Sequence, residues 1–153
     1  MDTPGLITEF LPVVIRRAGG EMTDDEMRSR LEGTARRLKE EARQGRHTVT
    51  IVDLSQASPP SAIQQNMHSV WLTQHEDLLK QVNLGTAFVV ASQEVRGGLN
   101  TILWKVFPQH DYTVATSLDE AIEWAIEKLR VHGIEPPERL VTEGARAVLA
   151  LDR

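Results

Sequence analysis

The chain has 153 residues, 41% of them hydrophobic, which is enough for one compact domain with a core and too few for two domains of ordinary size. A net charge of −5 without a long basic run sets aside nucleic acid and anionic membranes as main partners, and the absence of cysteine removes disulfides, thiol nucleophiles and thiolate metal sites. The acidic N-terminus lacks a basic n-region and no apolar run approaches the roughly 20 residues of a bilayer span, so a soluble, untargeted, cytoplasmic protein is expected.

Residues 6–17, LITEFLPVVIRR, are rich in β-branched and apolar types, and Pro12, which cannot donate to a ladder, belongs at an edge or between two short strands. Gly19-Gly20 makes a turn. Thr23, followed by Asp24, Asp25 and Glu26, supplies a hydroxyl N-cap and a capping-box glutamate, with negative charge at the positive end of the helix dipole. Met27, Leu31, Thr34, Ala35, Leu38 and Ala42 then recur at spacings of three and four, predicting a helix that ends near Gly45. The basic residues from Arg28 to Arg46 are interleaved with Glu32, Glu40 and Glu41 and read as its solvated face.

Residues 47–54, HTVTIVDL, predict a strand covered on one or both faces. The stretch after it, SQASPPSA, concentrates serines where an α/β domain usually keeps its chemistry. Ser58 at the N-cap, with Pro59 and Pro60 at the first helical positions, predicts a capped helix start, because prolines lack the N–H groups that such a start leaves unpaired. The same prolines take two donors from any anion held there. Neither Gly-x-Ser-x-Gly nor an adjacent base accompanies the serines, which argues against a nucleophile. Asp53 reads as a turn former bonding its own backbone rather than as a receiver phospho-acceptor, since the first strand runs into Arg16-Arg17 where a receiver needs an acidic pair.

Ile63, Met67, Val70, Trp71, Leu78 and Val82 predict the buried side of a second helix running to about Lys80. Residues 84–91, LGTAFVVA, read as a central strand. Ser92 caps the next helix, with Val95, Leu99, Ile102, Leu103 and Val106 on one side, and Pro108 stops it. Gly97 and Gly98 inside it cost about 1 kcal/mol each against alanine, which calls for tight packing or, with Arg96 beside them, a bound anionic group. Residues 111–117 offer a last strand, and Ser117 caps a fourth helix carrying Leu118, Ala121, Ile122, Trp124, Ala125 and Leu129. Residues 132–137, HGIEPP, break the pattern before a short amphipathic tail that uses Val141, Ala145, Val148 and Leu149.

The five histidines are scattered; His68 and His75 lie about 10 Å apart along one helix, so solvent or helix-edge places are expected and no metal site. Trp71, Trp104 and Trp124 read as packing residues. Strand and helix alternate with short connections, which predicts an α/β fold: a mixed, mostly parallel open sheet of four to five strands packed with about four helices over residues 1–131, plus a C-terminal extension over 132–153.

This order, with VDLS at 52–55 and DEAIEWA at 119–125, resembles the STAS-like domains, the fold of the bacterial anti-sigma factor antagonists. The likeness is greatest to stand-alone STAS-like proteins whose last helix carries Ala-x-x-Trp, here Ala121 to Trp124, and it covers roughly residues 10–130. In the antagonists the strand ending in Asp-Leu-Ser leads to an Asp-Ser-(Ser or Thr)-Gly motif whose serine a partner kinase phosphorylates. Here the loop reads QASPPSA, so Ser58 and Ser61 stand in that neighbourhood outside the motif. The resemblance implies a non-catalytic regulatory or scaffolding protein, without cofactor, that binds a protein partner through the 55–62 loop and the start of the 92–107 helix. Ser58, Ser61, Arg96, Gly97 and Gly98 would carry that contact, and Val141, Ala145, Val148 and Leu149 would dock the tail. Homo-oligomerisation stays open. The alternatives are a binder of a small apolar ligand such as a lipid, since stand-alone members are grouped with lipid-transfer-type folds, and a serine-phosphorylated switch.

Overall fold

The computed structural model describes residues 5–106 and 110–151. Its elements are β1 (Leu6–Ile7), β2 (Val13–Gly20), α1 (Asp24–Arg43), β3 (Thr48–Ala57), α2 (Ala62–Gln74), α3 (Glu76–Val82), β4 (Asn83–Val89), α4 (Gln93–Val106), β5 (Tyr112–Ala115), α5 (Leu118–Val131), α6 (Glu138–Glu143) and α7 (Ala145–Leu149). The five strands lie in the sheet in chain order, with β1 antiparallel to β2 and every later pair parallel. The fold is the α/β arrangement that the alternation predicts. Seven helices form among the described residues where about four were expected, because the second helix breaks at His75 and the tail adds two short ones. The stop expected at Pro108, and the side chains of Ile102, Trp104 and Val106, lie outside the described residues.

Parallel strands added stepwise in one direction through right-handed crossovers carry their connecting helices to one face. Helices α1 to α4 accordingly share one side of the sheet, and α5 to α7 cover the other. Strand parity sorts the side chains. Val13, Ile15, Val49, Ile51, Ala87 and Val89 pack towards α5, while Val14, Arg16, Thr50, Val52, Thr86 and Phe88 turn towards α1, α2 and α4.

Several local signals act as predicted. The hydroxyl oxygens of Thr23, Ser92 and Ser117 each accept from a backbone N–H three residues on, at 3.1 Å, and so start α1, α4 and α5. Pro12 sits between β1 and β2, where its missing N–H costs no ladder bond. On the α5 side, a Cβ added to Gly85 would stand 2.6 Å from the Trp124 ring, so the glycine is what lets that indole lie against β4.

The tail belongs to the domain. Leu140, Ala145, Ala147 and Val148 join the core formed by the strands and α5, and Asp119 Oδ1 accepts from the N–H of Ala145 at 2.8 Å, fixing the turn at Gly144, whose φ is +57°. Of the residues expected to dock the tail on a partner, Ala145 and Val148 are thus buried in this chain's own core, and Val141 and Leu149 face outward.

Two features of α2 depart from the sequence reading. Its N-cap is Ser61, in a reciprocal capping box with Gln64, and not Ser58. Pro59 itself precedes a proline and is pushed out of the α region, so it cannot be the first helical residue behind a Ser58 cap, and the next hydroxyl becomes the cap. The inward face of α2 is also rotated from the expected stripe: Ile63 and Val70 are exposed, at 63% and 45%, whereas Gln64 is buried and His68, Trp71 and Leu72 point inward. Gln64 fixes this rotation by donating from Nε2 to the Met22 carbonyl at 2.7 Å and to Asp24 Oδ1 at 3.2 Å.

Candidate functional site

The rotated α2 covers a cavity of about 590 Å³ between the sheet and α1, α2 and α4, a size typical of small-molecule sites. Its exposed lining residues, Gly20, Glu21, Pro59 and Ser61, lie at the C-terminal ends of β2 and β3 and mark its mouth. Open α/β sheets bind ligands at that end of their strands. The serine-proline loop is therefore the rim of this chamber.

The cavity has two ends of different chemistry. Under α4 the wall is apolar, with Val52, Leu54, Phe88, Val95 and Leu99 among its residues. Under α1 and α2 it carries Arg16 from β2, Arg30 and Arg37 from α1, and His68 and Trp71 from α2. Arg16 donates from Nη2 to Thr34 Oγ1 at 2.6 Å, and that hydroxyl in turn donates to the carbonyl of Arg30 at 2.9 Å. Arg16 Nη1, Arg37 Nε and Nη1, and Trp71 Nε1 are fully buried and meet no hydrogen-bond partner among the described residues. Charged donors in that condition normally cost a fold several kcal/mol in principle, which is why native interiors pair them.

The electrostatics agree with the geometry. Burial, and then the neighbouring charges of Arg37 and Arg30, bring the Arg16 guanidinium down to about 10. Burial lowers Arg37 as well, opposed by Glu41, whose carboxylate is itself ion-paired with Arg46 at 3.0 Å. Burial and the charge of Arg16 hold His68 below the ordinary histidine value. The one carboxylate among the described lining residues is Glu21, which is exposed. Arg16, Arg30 and Arg37 thus crowd positive charge at one end of a largely apolar chamber.

On the opposite face the neighbouring residue behaves differently. Arg17 donates from Nε to Asp53 Oδ2 at 3.2 Å, and Asp53 Oδ1 accepts from the N–H and the hydroxyl of Ser55 at 3.0 and 2.6 Å. Asp53 does bond its own backbone, as expected, but inside an extended β3 that runs on to Ala57 and with an ion-pair partner the sequence did not suggest.

Of the residues singled out in the sequence, Ser58 and Ser61 fall on the rim. Ser58 lines the mouth and donates its N–H to the Gly20 carbonyl at 3.3 Å, and Ser61 is occupied as the cap. Gly98 lets α4 approach the loop: a Cβ there would sit 3.1 Å from the Pro60 ring, which gives the glycine its packing role. Arg96 and Gly97 are exposed on the outer side of α4, away from the cavity lining, and nothing within 4 Å would obstruct a Cβ at Gly97. The loop and the helix start are therefore adjacent.

The sequence reading missed the cavity's cations. Charge interleaving puts Arg30 and Arg37 on a solvated face and the scattered spacing puts His68 in solvent or at a helix edge, whereas all three line the chamber. A signal existed in VVIRR: alternation in a strand sends adjacent arginines to opposite faces, so one of the two had to enter the interior on either side. Among the described residues no group of three His, Asp or Glu could hold a metal ion, and no helix is long and apolar enough to cross a membrane. Comparisons with protein families, with characterised proteins and with solved structures find no match to this chain.

Proposed function

We propose that the protein binds a small amphiphilic anion in the cavity between the sheet and α1, α2 and α4, without transforming it. One observation carries this reading: the buried, unpartnered guanidinium N–H groups of Arg16 and Arg37 border a largely apolar chamber that opens at the strand ends. A ligand with acceptor oxygens and an apolar body would satisfy those donors, neutralise their charge and bury its remainder under α4. The use of the Ser61 hydroxyl as a cap, accepting from the N–H of Gln64 at 3.1 Å, supports binding over nucleophilic chemistry at the rim.

The test is a fluorescence titration with anilinonaphthalene sulfonate, an amphiphilic monoanion. The expected result is saturable binding at one site, weakened about tenfold or more by Arg16→Ala through loss of a charge-assisted contact. Absence of saturable binding to the folded protein would refute the reading.

The contact of Gly98 with Pro60 favours a second reading, in keeping with the STAS-like resemblance. It joins the 55–62 loop and the start of α4 into one surface on which a protein partner could rest, with Ser58, Ser61, Arg96 and Gly97 at its edge. The triple variant Ser58→Ala, Ser61→Ala, Arg96→Glu should lose partner capture; unchanged capture would remove this surface from consideration.

A further inference from the structure

We infer that the ligand of this cavity is a phosphate monoester of an apolar alcohol, its doubly charged head seated between Arg16 and Arg37 and its tail lying across the strands under α4. The inference rests on the binding reading above and adds the class of the head group.

The first ground is the inventory of unmet groups. Arg16 Nη1, Arg37 Nε, Arg37 Nη1 and Trp71 Nε1 are all donors, buried beside the same chamber and without partners among the described residues. Nothing but acceptors can satisfy them, and an arginine presents its N–H groups in a fixed fork suited to oxyanions. A carboxylate head brings two oxygens. A phosphate monoester brings three, with a charge near −2 above its second ionisation at about pH 6.

The second ground is charge. Of the three guanidiniums at the head end, those of Arg16 and Arg37 have buried N–H groups without partners, and the carboxylate closest to Arg37 in its effect, Glu41, already serves Arg46. Arg30 adds to the positive field on Arg16. A singly charged head would leave net positive charge enclosed in a low-dielectric pocket, whereas a dianion balances the two buried guanidiniums. The third ground is layout. β2 and β4 are separated by β3, and strands stand about 4.8 Å apart, so the path from Arg16 on β2 to Phe88 on β4 and Leu99 above it is roughly 10 Å, long enough to bed an apolar chain.

The experiment measures binding of four probes to the full chain by calorimetry at about pH 8, where the phosphate is a dianion: decyl phosphate, decyl sulfate, decanol and inorganic phosphate. Decyl phosphate should bind at least about tenfold more tightly than decyl sulfate, which has the same tail and one charge fewer, and at least about tenfold more tightly than inorganic phosphate, which has no tail. Arg16→Met and Arg37→Met should each reduce decyl phosphate to the level of decyl sulfate while leaving decanol unchanged. Equal affinity for decyl phosphate and decyl sulfate would overturn the doubly charged head and leave the binding reading standing. Equal affinity for decyl phosphate and inorganic phosphate would overturn the tail. If none of the four binds, both the inference and the reading beneath it fail. The comparison among probes uses the unaltered protein, so it does not depend on how the variants fold.

Discussion

On the α5 side of the sheet the strands, α5 and the tail helices close into one continuous apolar core, and the single strand arginine on that side, Arg17, is matched by Asp53. On the other side the apolar residues divide into two smaller groups, one under α4 and one around Leu38, Leu79 and Val82, with the cavity and its unmatched Arg16 and Arg37 beside them. The chain can therefore pair a buried arginine and fill a face completely, and does so on one side. The contrast teaches that the open, cationic side is not a general weakness of packing. One face is filled and its arginine paired; the other leaves a chamber and unpaired guanidinium N–H groups, which the proposed binding of an anion would use.

The largest test of this division is a pair of truncations. Leu129→Ala, in the filled core, should cost about 3–5 kcal/mol, because a fully packed site cannot collapse around the loss. Leu99→Ala, on the cavity wall, should cost about 2 kcal/mol, the low end for a buried leucine, since its side chain already borders empty space on one side. Urea midpoints compare the two directly; equal losses would mean that the faces are packed alike.

The two arginines give the next effect, of opposite sign. Arg17→Met strands the buried Asp53 carboxylate and should destabilise by about 2 kcal/mol, moderated by the bonds from Ser55. Arg16→Met removes a charge that the unliganded fold holds at a disadvantage and should stabilise by about 1 kcal/mol while weakening anion binding about tenfold. Thermal melts of both variants read the signs. Gly85→Ala should cost about 1–2 kcal/mol by driving Trp124 off β4, visible as a red-shifted indole emission together with the lower midpoint.

The smallest effect is with pH. His68 is held below its unfolded value of about 6.5, so as pH falls through that value the unfolded chain takes up a proton that the folded chain refuses, and stability declines until the folded value is passed. His110, lowered by burial and Lys80, adds in the same direction. Above about pH 8 neither contributes a slope. His68 is lowered first by its burial between α2 and the sheet and then by the charge of Arg16 from β2, so His68→Gln should flatten the loss between about pH 7 and 5 measured by urea unfolding.

Much of the fold was legible because its signals are local. The hydroxyl caps at Thr23, Ser92 and Ser117 depend on residues three apart, and the β-branched runs needed only their own composition to be read as strands. The serine-rich loop was legible as a helix start but off by three residues, since Pro60 keeps Pro59, the expected first helical residue, out of the α region. What could not be read was the inward face of α2. Apolar periodicity assumes an apolar interior, and here Ile63 and Val70 turn out while Gln64 and His68 turn in, because the space they cover is lined by Arg16 and closed by the bond of Gln64 to Met22. The cavity likewise depends on contacts between β2, α1 and α2 that no short window contains. VVIRR announced a charge in the sheet without telling which arginine would find a carboxylate.

The central claim is that the chamber beneath α2 is the binding site, and the indole N–H of Trp71 reports on it most directly. In a proton–nitrogen correlation spectrum titrated with decyl phosphate, the Trp71 indole signal should move as its unpartnered Nε1–H gains an acceptor, and that of Trp124, across the sheet, should stay in place. A titration in which Trp124 moves while Trp71 does not, or in which neither moves, would contradict it.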